Sequence, residues 1–391
     1  MVMSISKSPT LNSPELKLLI LCAGNFQNEK AFSGSARNLF IALEKRNCVY
    51  QKVNIGGNSY AEGRLPTRLF RKVDRFGFED RFRSNSKLAY TLNSLRAKKT
   101  VSKYPDFNAC LIYGTYFDLN IQTPLYCYFD ATVAQVANAK KWGFAKASNR
   151  TLNRIFEDQK KLFHKCSAIF PRSEWAAKSV IEDYDLSREK ICVASAGVNF
   201  QLEPYPHQSY DRQSILFIGR EFELKGGPLI LDAFRQTRQK LPHARLVIIG
   251  CTPDIKEPGV EIIGSISKDV SGGMDKLLTY YSEASIFCLM SNFEAFGISL
   301  VEAMHCGVPC VVPKRYAFPE IIVDNVTGRH IEKPDAYNLS QVFIDLLSDP
   351  SRLKKMGDAG QQHVQQNYTW DEAARRIHER IQKDLFKPSK V

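Results

Sequence analysis

The stretch Asn292-Phe-Glu294-Ala-Phe296-Gly297-Ile298-Ser299-Leu300-Val-Glu302-Ala-Met-His-Cys-Gly307 sets the reading of the whole chain. It follows a strand-sized apolar run at 286–290, and Gly307 suits the residue that ends a short helix beginning near Ile298. Strand, turn and helix in that order form the unit of a parallel sheet, in which ligands sit at the carboxyl ends of strands. Gly297 permits close approach. The amides of Ile298, Ser299 and Leu300 are expected to be unpaired donors of a helix N-terminus, an end that favours anions and a diphosphate in particular. Glu294 shares the preceding loop with Phe296, where its carboxylate can meet sugar hydroxyls. Glu302 lies one turn into the helix, where it can hold the two hydroxyls of a ribose. The plainer readings are that Glu294 only favours the helix dipole and that Glu302 is a solvated helix residue. Leu300, Val301, Ala303 and Met304 nevertheless make a poor setting for an idle carboxylate.

Earlier in the chain, Phe217-Ile-Gly219-Arg220-Glu-Phe-Glu-Leu-Lys225-Gly226-Gly227 leaves another apolar run at 215–219. Arg220 and Lys225 there can neutralise the charge that builds on a leaving diphosphate, and Gly226 and Gly227 let the backbone bend past it. The Walker pattern G-x-x-x-x-G-K-[ST] is absent, so an ATPase is excluded as the reading of this loop. Around both clusters, short apolar runs alternate with amphipathic stretches. Candidate strands fall at 17–22, 51–55, 109–113, 125–129, 168–171 and 191–194, then at 215–219, 246–250, 260–263, 286–290 and 309–312. The polar segment 200–212, with Pro204 and Pro206, reads as a linker. The expectation is an α/β chain of two Rossmann-like, doubly wound parallel-sheet domains at 1–205 and 206–369. A final helix, 370–391, opens with the T-x-x-E pattern Thr369–Glu372 and carries one apolar face through Trp370, Ala374, Ile377, Ile381 and Leu385.

Composition narrows the classes. No apolar run is long enough to span a bilayer, and residues 1–15 are polar without a signal-peptide core, so a cytoplasmic protein is expected. The ten cysteines are scattered, several inside strand-like runs, which fits reduced core residues; His305, Cys306 and Cys310 cluster at a helix-to-strand turn without C-x-x-C spacing, so no metal site is expected. The net charge of +13 is uneven: between Arg64 and Lys103 stand twelve Lys or Arg against Asp74, Glu79 and Asp80. With phenylalanines interleaved, this segment suits an anionic membrane surface or a phosphate-bearing acceptor, or is simply a solvated face. No nucleic-acid motif accompanies the charge, and nucleic acid is not an expected partner. Asp183-Tyr-Asp185 is formally D-x-D but falls in the expected loop 181–191, away from both clusters, and reads as a turn.

Glu294-x7-Glu302, Gly219-Arg220…Lys225-Gly226-Gly227, Ser173-Glu-Trp, Gly197-Val-Asn199 and the closing Tyr368-Thr-Trp370 together resemble glycosyltransferase family 4, of the GT-B fold. The match is strong from Ala168 onward. The resemblance implies a nucleoside-diphosphate-sugar donor whose phosphates are held by Arg220 and Lys225. It puts Glu294 at the sugar, Glu302 at the ribose, and Ser265 or Ile266 beside the base. It also implies transfer with retention, no essential metal or other cofactor, and a last helix that crosses back onto the first domain. In the first half, Gly34 in Ala31-Phe-Ser-Gly34-Ser-Ala36 resembles the glycine loop that approaches the donor, with one of the usual paired glycines. Asp130 stands near the place where many relatives carry a histidine, and is the one candidate for a base. The loop from Lys314 keeps Pro319-Glu320 but lacks the glycines common before it. The acceptor, a saccharide, a lipid-linked group or a small molecule, is expected on the first domain. The alternatives are a GT-B epimerase or phosphorylase, and a sugar-nucleotide-binding scaffold without activity.

Overall fold

The computed structural model describes residues 15–27, 34–56, 87–139, 147–200, 207, 209–268 and 270–386. The first sheet is parallel, with strands β1 (Leu18–Cys22), β2 (Val49–Asn54), β3 (Ala109–Tyr113), β4 (Leu125–Phe129) and β5 (Ala168–Pro171) in the order β2-β1-β3-β4-β5. The second is parallel too: β6 (Ser214–Ile218), β7 (Arg245–Ile249), β8 (Val260–Gly264), β9 (Ile286–Cys288), β10 (Cys310–Pro313) and β11 (Gly328–Ile331), ordered β11-β10-β9-β6-β7-β8. Strands buried on both faces need continuous apolar runs, and β1, β3 and β4 are buried at every position. In each sheet the strand order reverses beside the first strand, at β1/β3 and at β6/β9, and such switch points open crevices at the carboxyl ends.

Two strand expectations change. Residues 191–194 form no strand among the described residues: Ile191 makes an isolated bridge to Ile169. Conversely β11 has the mixed sequence GRHI, too short and polar to stand out as a strand. Its Gly328 is required because a Cβ there would lie 2.0 Å from the Cys310 carbonyl. Most of the expected linker, 201–206 and 208, lies outside the described residues.

The closing helix, Trp370–Leu385, packs against helix Ser35–Glu44 of the first domain. Trp370, Ala374, Ile377 and Ile381 are buried there, and sequestering the three large side chains contributes about 1.5–3 kcal/mol each. Gly197 lets the chain approach, since a Cβ at that position would stand 2.3 Å from the Trp370 amide nitrogen. Asn199 Oδ1 accepts the Trp370 indole N–H at 3.0 Å and the Asn38 amide at 2.9 Å, tying both helices to one residue. Thr369 caps the helix through the Glu372 amide, but the expected reciprocal bond is replaced: the Glu372 carboxylate binds Arg375 and Arg376.

Candidate active site

The β6/β9 crevice is built by two loops held together. The Asn292 amide donates to the Leu224 carbonyl at 2.8 Å, and Asn292 Nδ2 donates to the Glu223 carbonyl. This brings the loop after β6 beside the loop after β9. Across them the half-buried Lys225 Nζ meets Glu294 Oε2 at 2.5 Å. Arg220 is exposed and has no ion pair among the described residues. Gly219 packs on the Lys225 stem, where a Cβ would meet Cγ at 2.9 Å. The glycines that follow are required by close packing. Gly226, at φ 78°, caps helix Gly227–Arg238 with no room for a Cβ against the Met290 carbonyl, and Gly227 abuts the Phe222 ring.

Gly297 takes the left-handed conformation, φ 101°, at the start of helix Ile298–His305. The Leu300 amide departs from the sequence expectation. It donates to the Gly297 carbonyl at 3.0 Å, because the first turn tightens to a three-residue bond. The amides of Ile298 and Ser299 stay without a partner among the described residues. The side chains of Phe296 and Leu300 are buried in the core, Phe296 near the Tyr368 ring at 6.2 Å, which leaves their backbone to line the crevice.

Glu302 is 4% exposed and not idle. Oε1 accepts from Lys268 Nζ at 2.7 Å and Oε2 from the Tyr281 hydroxyl at 3.2 Å. Burial and the Glu302 carboxylate push the Tyr281 hydroxyl well above its ordinary range, which keeps it a donor. Each Glu302 oxygen retains a second lone pair, so the carboxylate is fixed without being saturated. Lys268 escaped the sequence reading. The available signal was a cation just past the carboxyl end of β8, two residues beyond the half-buried Ile266.

On the first-domain side, Gly34 is left-handed (φ 80°) and caps helix Ser35–Glu44, and the buried Ser35 hydroxyl beside it has no hydrogen-bond partner among the described residues. Asp130 follows β4, half its side chain in solvent, and takes the Ala131 amide on its own Oδ1. No hydrogen bond or ion pair joins it to the second-domain cluster among the described residues. Behind it lies Arg172, which sequence reasoning missed although an arginine directly after the apolar strand β5 was visible. Its guanidinium is buried, donates to the Tyr113 hydroxyl at 2.6 Å, stacks over Tyr128, and stands 3.9 Å from Asp130.

The two domains meet through Glu320. Its carboxylate accepts the amides of Glu174 at 2.6 Å and Trp175 at 2.5 Å, capping helix Glu174–Tyr184 of the other domain. Trp175 sets its ring edge against Phe293 and Tyr316. Tyr316 occupies a left-handed conformation (φ 59°) in the loop that lacks glycines, held by its hydroxyl on the Asn292 carbonyl. The D-x-D acids are engaged locally: Asp183, inside the helix rather than in a loop, accepts from Ser179, and Asp185 pairs with Lys160. Among the described residues no three His, Cys, Asp or Glu side chains gather as a metal would require. Burial pushes the Cys306 and Cys310 thiols up, so both stay protonated.

Residues 206–363 match the model of the family described as glycosyl transferases group 1. A similar curated protein is the MMP alpha-(1->4)-mannosyltransferase of Mycolicibacterium hassiacum, 26% identical over 248 residues that make up 61% of this chain and 59% of that protein. The chain thus covers less than two thirds of the length of the curated relatives it matches. Among solved structures, sucrose-phosphate synthase of Thermosynechococcus elongatus superposes with a TM-score of 0.68 at 14% identity, covering 94% of this chain and 99% of that one. HepE of Anabaena, solved in complex with UDP, superposes with 0.63 at 16% identity, covering 94% and 99%. Two parallel sheets facing across a crevice give the chain the fold of these solved glycosyltransferases, and the group 1 match makes residues 206–363 similar to the glycosyl transferases group 1 family.

Proposed function

We propose that the chain transfers a hexose-type sugar from a nucleoside diphosphate to an acceptor hydroxyl, with retention, in the crevice between the two sheets. The observation that carries this is the meeting, at the β6/β9 switch point, of Arg220, Lys225, Glu294 and the open amides of Ile298 and Ser299. In this reading the cations and amides take the diphosphate and stabilise it as it leaves, which is where such a site gains most of its rate. Glu302 holds the ribose, with Ile266 beside the base. Gly34 and the helix it caps approach the diphosphate from the first domain. Glu294 meets the sugar, so donor binding must share Lys225 between the carboxylate and a phosphate. Asp130 receives the acceptor proton. The cations do the neutralising without a metal, and the rate is expected to be unchanged by EDTA. The basic segment 64–103, of which 64–86 lie outside the described residues, gives the protein a peripheral place at an anionic membrane face. No described helix is long and apolar enough to cross a membrane.

The test is a panel of UDP-, GDP- and ADP-sugars assayed for nucleoside diphosphate release with saccharide and lipid-linked acceptors. The anomeric configuration of the product is then read by NMR. Release from one donor with a retained anomer supports the reading. Tight binding of every donor without release from any would leave a binding scaffold instead.

A further inference from the structure

At the carboxyl ends of β1 and β2 the first domain opens a cavity of about 630 Å³, lined among others by Asn25, Gln27, Asn54, Arg96, Lys99 and Lys103. The three cations sit at spacings of three and four, so they share one face of helix Lys87–Val101 and its C-terminal extension. Among the described residues no carboxylate lines the cavity and none of the three cations is ion-paired. Asn54 adds polarity of a fixed sense. Its Oδ1 accepts the amides of Gly24 at 3.1 Å and Gly56 at 2.9 Å, and the Nδ2 hydrogens, donors only, have no partner among the described residues.

A second cavity shows what an ordinary charged hollow looks like in this chain. It measures about 280 Å³ and lies at the amino ends of β6 and β7, on the far side from the crevice. There two of the three lining cations are neutralised in place, Arg212 by Glu283 at 3.0 Å and Arg245 by Glu261 at 2.6 Å, with Lys276 the third. Among the described residues the first-domain cavity has no such internal neutralisation. Three cations and a carboxamide that can only donate, converging on one space, match a group that only accepts and carries more than one negative charge.

We propose that this cavity binds a phosphate group, borne by the acceptor or by a lipid headgroup. It lies on the acceptor-side domain, beside the loop from β1 that leads to Gly34, and so would hold the acceptor's phosphate while its hydroxyl reaches the crevice. That purpose rests on the transferase reading; the binding itself does not. A lipid source draws on one further feature: Leu88, Leu92 and Leu95, 52%, 42% and 59% exposed, share the outward face of the same helix with Arg96 and Lys99. Apolar and basic side chains on one exposed face suit the surface of an anionic bilayer.

The experiment titrates the full chain with inorganic phosphate by calorimetry at low salt. Wild type is compared with the combined variant Arg96→Gln, Lys99→Gln, Lys103→Gln, and with Lys354→Gln, a surface lysine of the second domain. The expected result is a loss of about tenfold or more in phosphate affinity in the triple variant, the scale of losing one charge-assisted hydrogen bond or more. Lys354→Gln should keep wild-type affinity. All three positions are exposed, and unchanged thermal unfolding checks that the variant folds. Phosphate affinity within about twofold of wild type in the triple variant, or no binding to wild type, overturns the proposal; twofold is well under 1 kcal/mol. Sedimentation with phosphatidylglycerol vesicles separates the sources. Binding that falls both in the triple variant and in Leu88→Ser, Leu92→Ser, Leu95→Ser assigns a lipid-borne phosphate. Phosphate binding without vesicle binding assigns a soluble phosphate ester. Nucleoside diphosphate binding, measured separately, is expected to survive the triple variant. Its absence in wild type would refute the donor reading and leave the phosphate result standing.

Discussion

The two sides of the crevice treat their cations differently. In the second domain Lys225 is closed onto Glu294 and Lys268 onto Glu302, leaving Arg220 as the open cation of that cluster. In the first, Arg96, Lys99 and Lys103 face a cavity with no acid among its described lining residues. Partnered charges are pre-organised, so a ligand finds fixed dipoles and must share them with a carboxylate already there. Unpartnered charges are better suited to attracting an anion through solvent, and that attraction fades with ionic strength. In the proposed reading one side serves the chemistry and the other the capture of an anion.

The largest break in this contrast is expected from the two cations proposed to hold the diphosphate. Arg220→Ala and Lys225→Ala should each lower turnover by about 10²-fold or more, the scale of removing one donor from a developing anion. They should differ in stability. Arg220 is exposed and its loss should leave thermal unfolding unchanged, whereas Lys225→Ala leaves the half-buried Glu294 unpaired and should lower it. Steady-state rates with melting curves check both, and near-wild-type turnover in both would remove the phosphate clamp.

A smaller effect sharpens the roles of the two glutamates. Glu302→Gln should raise the donor KM and weaken nucleoside diphosphate binding by about tenfold, the order of one charged hydrogen bond. Glu294→Gln should lower kcat and leave binding of the bare diphosphate nearly intact. Equal losses of diphosphate binding in both variants would mean the carboxylates do not divide the work.

Salt gives a graded version of the same comparison. Moving from about 0.05 M to about 0.5 M ionic strength contracts the screening length several-fold. Phosphate binding to the first-domain cavity should collapse over that range, while nucleoside diphosphate binding at the pre-paired site changes less. Parallel losses would show that pairing confers no protection.

The smallest expected effect is on stability against pH. Burial holds His207, His363 and His378 below the ordinary imidazole value of 6.5. As pH falls through 6.5 the unfolded chain takes up these protons first, so the stability they contribute is full above that value and is lost as acidification proceeds toward their folded values. Unfolding midpoints should therefore decline between neutral pH and mildly acid pH. A midpoint that rises on acidification would contradict the burial of these rings.

Legibility followed the kind of force involved. Strands such as β1, β3 and β4 are continuous apolar runs and were readable, as were Glu294, Glu302, Arg220 and Lys225, which lie at fixed spacing around glycine turns. What escaped depends on tertiary neighbours. Lys268 matters because folding brings it to Glu302, thirty-four residues away. Arg172 matters because Tyr113, Tyr128 and Asp130 come from two other strand ends. β11 is a strand because β10 presents a free edge, not because GRHI favours one. The Leu300 amide was misread because the choice between a three- and a four-residue bond in a first turn is not written in residue types.

The seam between helix Ser35–Glu44 and helix Trp370–Leu385 has a consequence for biosynthesis. Leu39, Phe40 and Leu43 belong to a domain that emerges early, yet the side chains that cover this helix belong to a segment translated roughly 300 residues later, at about 5–20 residues per second. For a large part of a minute the nascent first domain would present a bare apolar helix to its surroundings. Its last packing step can occur only after the second domain has been made and has carried Trp370 back to Gly197. Any event that stops translation shortly before Trp370 would release two sheets that are each complete and a first domain that still lacks its cover.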